Sequence, residues 1–158
     1  MKTLVVFYSR TGVTRTVAQA LAGQLQADIE ELHDRKKRAG ALGFIVGGKD
    51  ACLKRLTEID PPVKDPAAYD LVVIGTPVWA DTMAPAVRTY LSQRVQSLRN
   101  VAFFCTMMGS GDKKTFVALE EVVGKPPKGV LALLSKQVKS GTFAPSVQEF
   151  AMCLAGSA

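Results

Sequence analysis

Short, continuous apolar runs separated by stretches of helical periodicity constrain this chain more than any other feature. Residues 2–8 (KTLVVFY) are β-branched and aromatic with almost no polar interruption. A strand buried on both faces reads this way, because helices cover both sides of a parallel sheet. The same signature recurs at 70–75 (DLVVIG), 100–105 (NVAFFC) and 129–135 (GVLALLS). A weaker run, 27–32 (ADIEEL), reads as an edge strand with its carboxylates toward water. From Val13, the apolar residues Val17, Leu21 and Leu25 keep to one helical face. Pro85 opens a second helix, a third runs from about Lys114 to Val123, and a fourth begins near Pro145. Strand–helix alternation with short connections predicts an α/β fold, a doubly wound parallel sheet of five strands between helical layers.

The 158 residues suit one domain spanning 1–158. Segment 33–69 is expected to be an irregular excursion with a single helix near 50–56. It contains a basic run, RKKR at 35–38, and a glycine-containing apolar patch, GALGFIVGG at 40–48. The basic run reads as a solvated face or as a docking point for an acidic partner, and the patch as packed down, lying at a ligand edge, or at a dimer contact. The formal charge of +6 permits attraction to acidic partners. No aromatic residues interleave the basic run, so nucleic acid is not expected.

Cys52, Cys105 and Cys153 are widely spaced and odd in number, which argues against a disulfide framework or a zinc site. The N-terminal run LVVFY is too short for an export signal, and no apolar run approaches the roughly 18 residues of a membrane span. A cytoplasmic protein is expected. His33 is the sole histidine, which excludes a Ser-His-Asp triad and any metal site with several histidines. Cys105 precedes a glycine-containing loop, but a phosphatase-type site would need an arginine where Gly111 stands.

In an open α/β sheet, ligands bind beyond the carboxyl ends of the strands, where strand order reverses. The loop after the first strand is Ser9-Arg10-Thr11-Gly12-Val13-Thr14. Its hydroxyls and consecutive N–H groups, at a helix start, suit a phosphate, and Gly12 permits close backbone approach. The fingerprints of Walker and Rossmann loops are both absent. The other reading is a hydroxyl-rich helix cap that binds nothing. After the third strand, Thr76 and Pro77 are expected to turn the chain out of the sheet, followed by Val78 and Trp79, the only tryptophan. Trp79 reads either as a stacking surface for a flat ring or as a packing residue against a helix. After the fourth strand, Thr106, Met107, Met108, Gly109, Ser110 and Gly111 form a loop of soft apolar side chains and open backbone, with Asp112 as helix cap.

These loops give the chain a resemblance to the flavodoxin family over essentially its whole length. Ser9–Thr14 is similar to the family's [ST]-x-T-G-x-T phosphate motif, and YDLVVIGTPVWADTMAPAVRTYL resembles its second flavin loop. The resemblance implies strand order 2-1-3-4-5 and FMN as cofactor. It also implies phosphate binding by Ser9–Thr14, ring contacts from Thr76–Trp79, and contacts at the ring's far edge from Thr106–Gly111. Three departures stand out. The chain is basic, segment 33–69 is long, and no aromatic lies between Phe104 and Phe116 to cover the second ring face. Two redox roles follow: an electron carrier serving a partner protein, or an oxidoreductase reacting with NAD(P)H or a quinone at an open ring face. A flavin-free interaction module is the third, and the intact hydroxyl loop argues against it.

Overall fold

A computed structural model describes residues 1–36 and 40–156; Lys37 and Arg38 of the basic run lie outside them. The described elements run β1 (Thr3–Tyr8), α1 (Val13–Leu25), β2 (Asp28–Leu32), α2 (Gly40–Cys52), β3 (Leu71–Trp79) and β4 (Thr82–Met83). After them come α3 (Pro85–Arg94), β5 (Asn100–Met107), α4 (Asp112–Val123), β6 (Val130–Leu134), α5 (Ser135–Ser140) and α6 (Ala144–Gly156). Five strands pair in parallel in the order β2-β1-β3-β5-β6, which is the expected 2-1-3-4-5 arrangement.

Alternation along the strands splits the core into two layers. Leu4, Val6 and Tyr8 of β1 face a cluster with Val87, Tyr90, Leu91 and Leu119 from α3 and α4. Val5 and Phe7 point the other way, toward Val17 and Leu21 of α1, Val138 of α5 and Phe150 of α6. β3 and β5 sit at the centre, and Leu71–Ile74 and Val101–Cys105 are almost wholly buried. No helix among the described residues is long and apolar enough to cross a membrane.

β2 is the edge strand, but its carboxylates do not simply face water. Asp28 accepts from the Tyr69 hydroxyl at 2.7 Å, and Glu30 accepts from the backbone N–H groups of Val63 and Lys64. Glu31 forms a bidentate pair with Arg15. Acidic residues on this edge thus fasten the following loop and α1 to the sheet.

Segment 33–69 departs from its expected form. The helix near 50–56 is instead α2, Gly40–Cys52, and it takes in the glycine-containing patch. Glycines ordinarily weaken helices, which is why the pattern reads as irregular. Here they serve packing: Gly43, Gly47 and Ala51 are buried at four-residue spacing, while Leu42 and Ile45 are exposed. Gly47 lies against Trp79, where a Cβ would come within 2.7 Å of the indole. The buried carboxylate of Asp50 anchors the end of α2 through Lys36 at 2.7 Å and Arg55 at 3.5 Å. Arg35 pairs with Asp60, and an isolated bridge joins Asp34 to Ile59.

Gly75 marks the tightest approach within the sheet, because a Cβ there would overlap the ring of Phe104 on the neighbouring strand. Gly75→Ala is expected to lower the unfolding free energy by about 1–3 kcal/mol, the usual cost of overpacking a core. Urea denaturation checks this, and an unchanged midpoint would contradict the packing described.

Candidate functional site

Parallel pairing sends β1, β3, β5 and β6 to the same edge of the sheet, and a cavity of about 850 Å³ opens there. That volume suits a small organic ligand or cofactor. The loop after β1 contributes Arg10, Thr11, Val13 and Thr14, and the end of β3 contributes Pro77, Val78 and Trp79. Thr106, Met107, Met108, Gly109 and Ser110 come from the end of β5 and the loop after it.

In the first loop each hydroxyl has a different task. Ser9 accepts from the Gly12 N–H at 3.1 Å, closing the turn on itself, and Gly12 takes the left-handed conformation (φ 91°) that lets α1 start at Val13. The first-turn N–H groups of α1 have no intrahelical partner by construction. Thr14 is buried, and its Oγ1 lies 2.8 Å from Oγ1 of Thr106, tying this loop to the end of β5. Thr11 is exposed and lines the cavity. Neither Ser9 nor Gly12 lines it.

The second loop differs from its expected shape. Thr76 and Pro77 do not turn the chain out of the sheet; β3 continues through them to Trp79. The pairing with β1 ends at Phe7 and Gly75, but Pro77 still pairs in register with Thr106 of β5. The turn comes at Ala80 and Asp81, both at positive φ (49° and 60°), and β3 folds back on β4 as a two-residue hairpin. Positive φ at both positions ordinarily calls for glycine or asparagine, so this hairpin carries backbone strain at the cavity rim. Thr76 is fully buried and does not line the cavity. Its Oγ1 accepts from the Ala84 N–H at 3.0 Å and donates to the Pro77 carbonyl at 2.9 Å, bracing the hairpin. Behind it, the buried Arg88 donates to the Thr82 hydroxyl at 3.1 Å. Trp79 lines the cavity and is also a packing residue, edge-on to Tyr8 (ring centroids 5.6 Å apart, planes at 88°) and against Gly47.

In the third loop the helix cap is Gly111 (φ 106°), not Asp112, which is the first residue of α4. Gly111 lies outside the lining, but a Cβ on it would come within 2.7 Å of Asp81 Oδ1 and Val78 Cγ1. Loops two and three therefore meet there. Met108 is 85% exposed at the mouth. Cys105, at the buried end of β5, has its thiol pushed up to about 12 from the usual 9.0, by burial first and Asp112 second. It is an inert thiol rather than a nucleophile.

Five lining residues were not anticipated: Ala80, Asp81, Ser135, Lys136 and Lys139. The first two directly follow Trp79 in sequence. The others follow the last strand, and the rule that drew attention to the earlier strand ends applies equally to this one. Arg10, Lys136 and Lys139 make the lining cationic. Its carboxylate, Asp81, accepts from Lys114 Nζ at 2.8 Å, and this hydrogen bond holds the Lys114 ammonium above its usual range.

No protein-family model matches the chain, and no curated protein does. Solved structures do. A flavoprotein from Lactobacillus acidophilus NCFM, determined in complex with FMN, aligns with a TM-score of 0.65 at 27% identity, over 89% of this chain and 98% of its own. The two-electron reduced flavodoxin of Megasphaera elsdenii aligns with a TM-score of 0.65 at 17% identity, covering 98% of each chain. A flavodoxin, WrbA-like protein from Agrobacterium tumefaciens gives 0.63 at 15% identity, over 99% of this chain and 96% of its own. The last two bear on the fold alone.

Two outcomes follow from this geometry. Gly47→Ala is expected to displace the indole of Trp79, the only tryptophan, and to shift its emission maximum to the red; an unshifted spectrum would mean that the contact with α2 is absent. For Cys105 the folded chain keeps a proton that the unfolded chain loses near pH 9.0. Its contribution to stability is thus whole below pH 9.0 and is lost as pH rises toward about 12. Urea midpoints measured across the alkaline range should fall, and fall less in Cys105→Ala.

Proposed function

We propose that this flavodoxin-like chain binds flavin mononucleotide in the cavity at the strand ends and works as a redox protein through it. The observation that carries the reading is the polarity of the lining. Thr11, Arg10, Lys136 and Lys139 offer hydroxyl and cationic groups, whereas Val78, Trp79, Met107 and Met108 offer apolar surface. A ligand with a phosphate at one end and a flat ring at the other suits such a lining. The likeness to the FMN-complexed flavoprotein of L. acidophilus supports the same ligand.

Bound FMN supplies reversible transfer of one or two electrons. In this reading the chain's own groups bind and orient. Thr11 and the first-turn N–H groups of α1 hold the phosphate, a site the helix dipole favours. Thr14 keeps this loop in register with β5 through Thr106, Val78 and Trp79 flank the ring, and the backbone of Gly109 and Ser110 meets its polar edge. The Ser9 and Thr76 hydroxyls, the left-handed Gly12 and Gly111, and the Lys114–Asp81 pair shape the three loops. No histidine lies in the lining, and its one carboxylate, Asp81, is engaged with Lys114.

One observation favours an oxidoreductase with a small-molecule partner over a carrier dedicated to another protein. The loop beyond Met107 presents Met108 outward and has no aromatic residue to cover the second ring face. A face covered only by methionine is open to a flat donor or acceptor such as a nicotinamide or a quinone.

Purified protein mixed with FMN is expected to take up the flavin with a shifted visible spectrum, and failure to take it up would refute the reading. Anaerobic mixing of the loaded protein with NADPH or NADH separates the two redox roles: prompt bleaching marks an oxidoreductase, and persistence of the oxidised spectrum marks a carrier. Thr11→Ala should weaken FMN about ten- to a hundredfold, the loss of one hydrogen bond to a charged group, and leave riboflavin nearly unchanged. Equal losses for both flavins would place the phosphate elsewhere.

A further inference from the structure

We infer that Lys136 and Lys139 are phosphate-recognition residues, which with Arg10 make the cavity select a flavin bearing a phosphate monoester over the unphosphorylated flavin. The inference rests on the FMN reading above and extends it to a part of the molecule outside the three loops.

Lys136 and Lys139 are three residues apart on α5, so they project from one face of the helix. That helix packs against α1 and shares the Val17–Leu21 core layer through Val138. Both lysines thereby enter the lining that Arg10 and Thr11 open from the start of α1. Several cations elsewhere in the chain are paired, Arg15 with Glu31, Arg35 with Asp60, Lys36 with Asp50 and, at this cavity's rim, Lys114 with Asp81. Lys136 and Lys139 have no ion pair or side-chain hydrogen bond among the described residues. The lining carboxylate is already taken by Lys114. Two ammonium groups facing one cavity without a counter-charge repel each other, and a dianionic phosphate relieves that repulsion. A phosphate monoester carries close to two negative charges at neutral pH, and falls toward one as pH drops through about 6.

A loop made only of hydroxyls and N–H groups holds phosphate through dipoles, which salt screens weakly. Two exposed lysines add a charge–charge component that salt does screen. The chain's FMN affinity is therefore expected to fall with ionic strength, and its riboflavin affinity to stay flat.

The test titrates full-length wild type and Lys136→Gln/Lys139→Gln with FMN and with riboflavin, at low and at high salt, following flavin fluorescence. The double variant is expected to lose roughly tenfold in FMN affinity at low salt, near the upper end for two exposed ion pairs. It should bind riboflavin as the wild type does and show a flattened salt dependence for FMN. Lys136→Arg/Lys139→Arg should retain tight, salt-sensitive FMN binding. Matching thermal midpoints without flavin verify that the variants are folded. FMN uptake by the wild type with no loss in the glutamine variant overturns the lysine assignment while leaving the FMN reading intact. Equal weakening of FMN and riboflavin also overturns it, because the lysines would then act on the ring or the fold. A wild type that takes up neither flavin overturns both.

Discussion

Parallel pairing of β1 with β3, and of β3 with β5, is the constraint from which the site follows. Parallel strands all finish on one edge, so the loops after them emerge side by side without further instruction from the sequence. Two-sided burial makes that arrangement rigid. Leu4, Val5, Val6, Val72, Val73, Ile74 and Phe103 are wholly buried between helical layers, and Gly75 lets Phe104 close the gap between strands. A site resting on such a sheet inherits its precision, and the loops need supply only chemistry.

Most of the fold was legible because its signals are strong where burial is complete. The runs at 2–8, 70–75, 100–105 and 129–135 are apolar for the reason that helices cover both faces, and each is a strand within a few residues. α2 was not legible. A helix that packs through Gly43 and Gly47 and exposes Leu42 and Ile45 inverts the pattern on which sequence reading depends. Its packing partner at Gly47 is the indole of Trp79, far away in sequence. The turn after β3 comes later than the sequence suggests for a similar reason: Thr-Pro is ordinarily a break, but Pro77 stays in register with Thr106 of β5 and the chain turns only at Ala80 and Asp81.

At the candidate site the types of residue were legible and their division of labour was not. A hydroxyl-rich loop says that oxygens are available; the structure adds that Ser9 accepts from Gly12, Thr14 pairs with Thr106 and Thr76 accepts from Ala84. Thr11 and Thr14 line the cavity, whereas Ser9 and Thr76 do not. Lys136 and Lys139 carry no motif at all. They reach the cavity because α5, which follows the far edge strand β6, packs against α1.

The hydroxyl pair Thr14–Thr106 joins residues 92 positions apart, linking the segment that starts α1 to the segment that ends β5. Both residues line the cavity, so the bond that ties these distant segments together is also part of the cavity wall. A change that separates the two segments, wherever in the fold it arises, therefore alters the shape of the cavity itself.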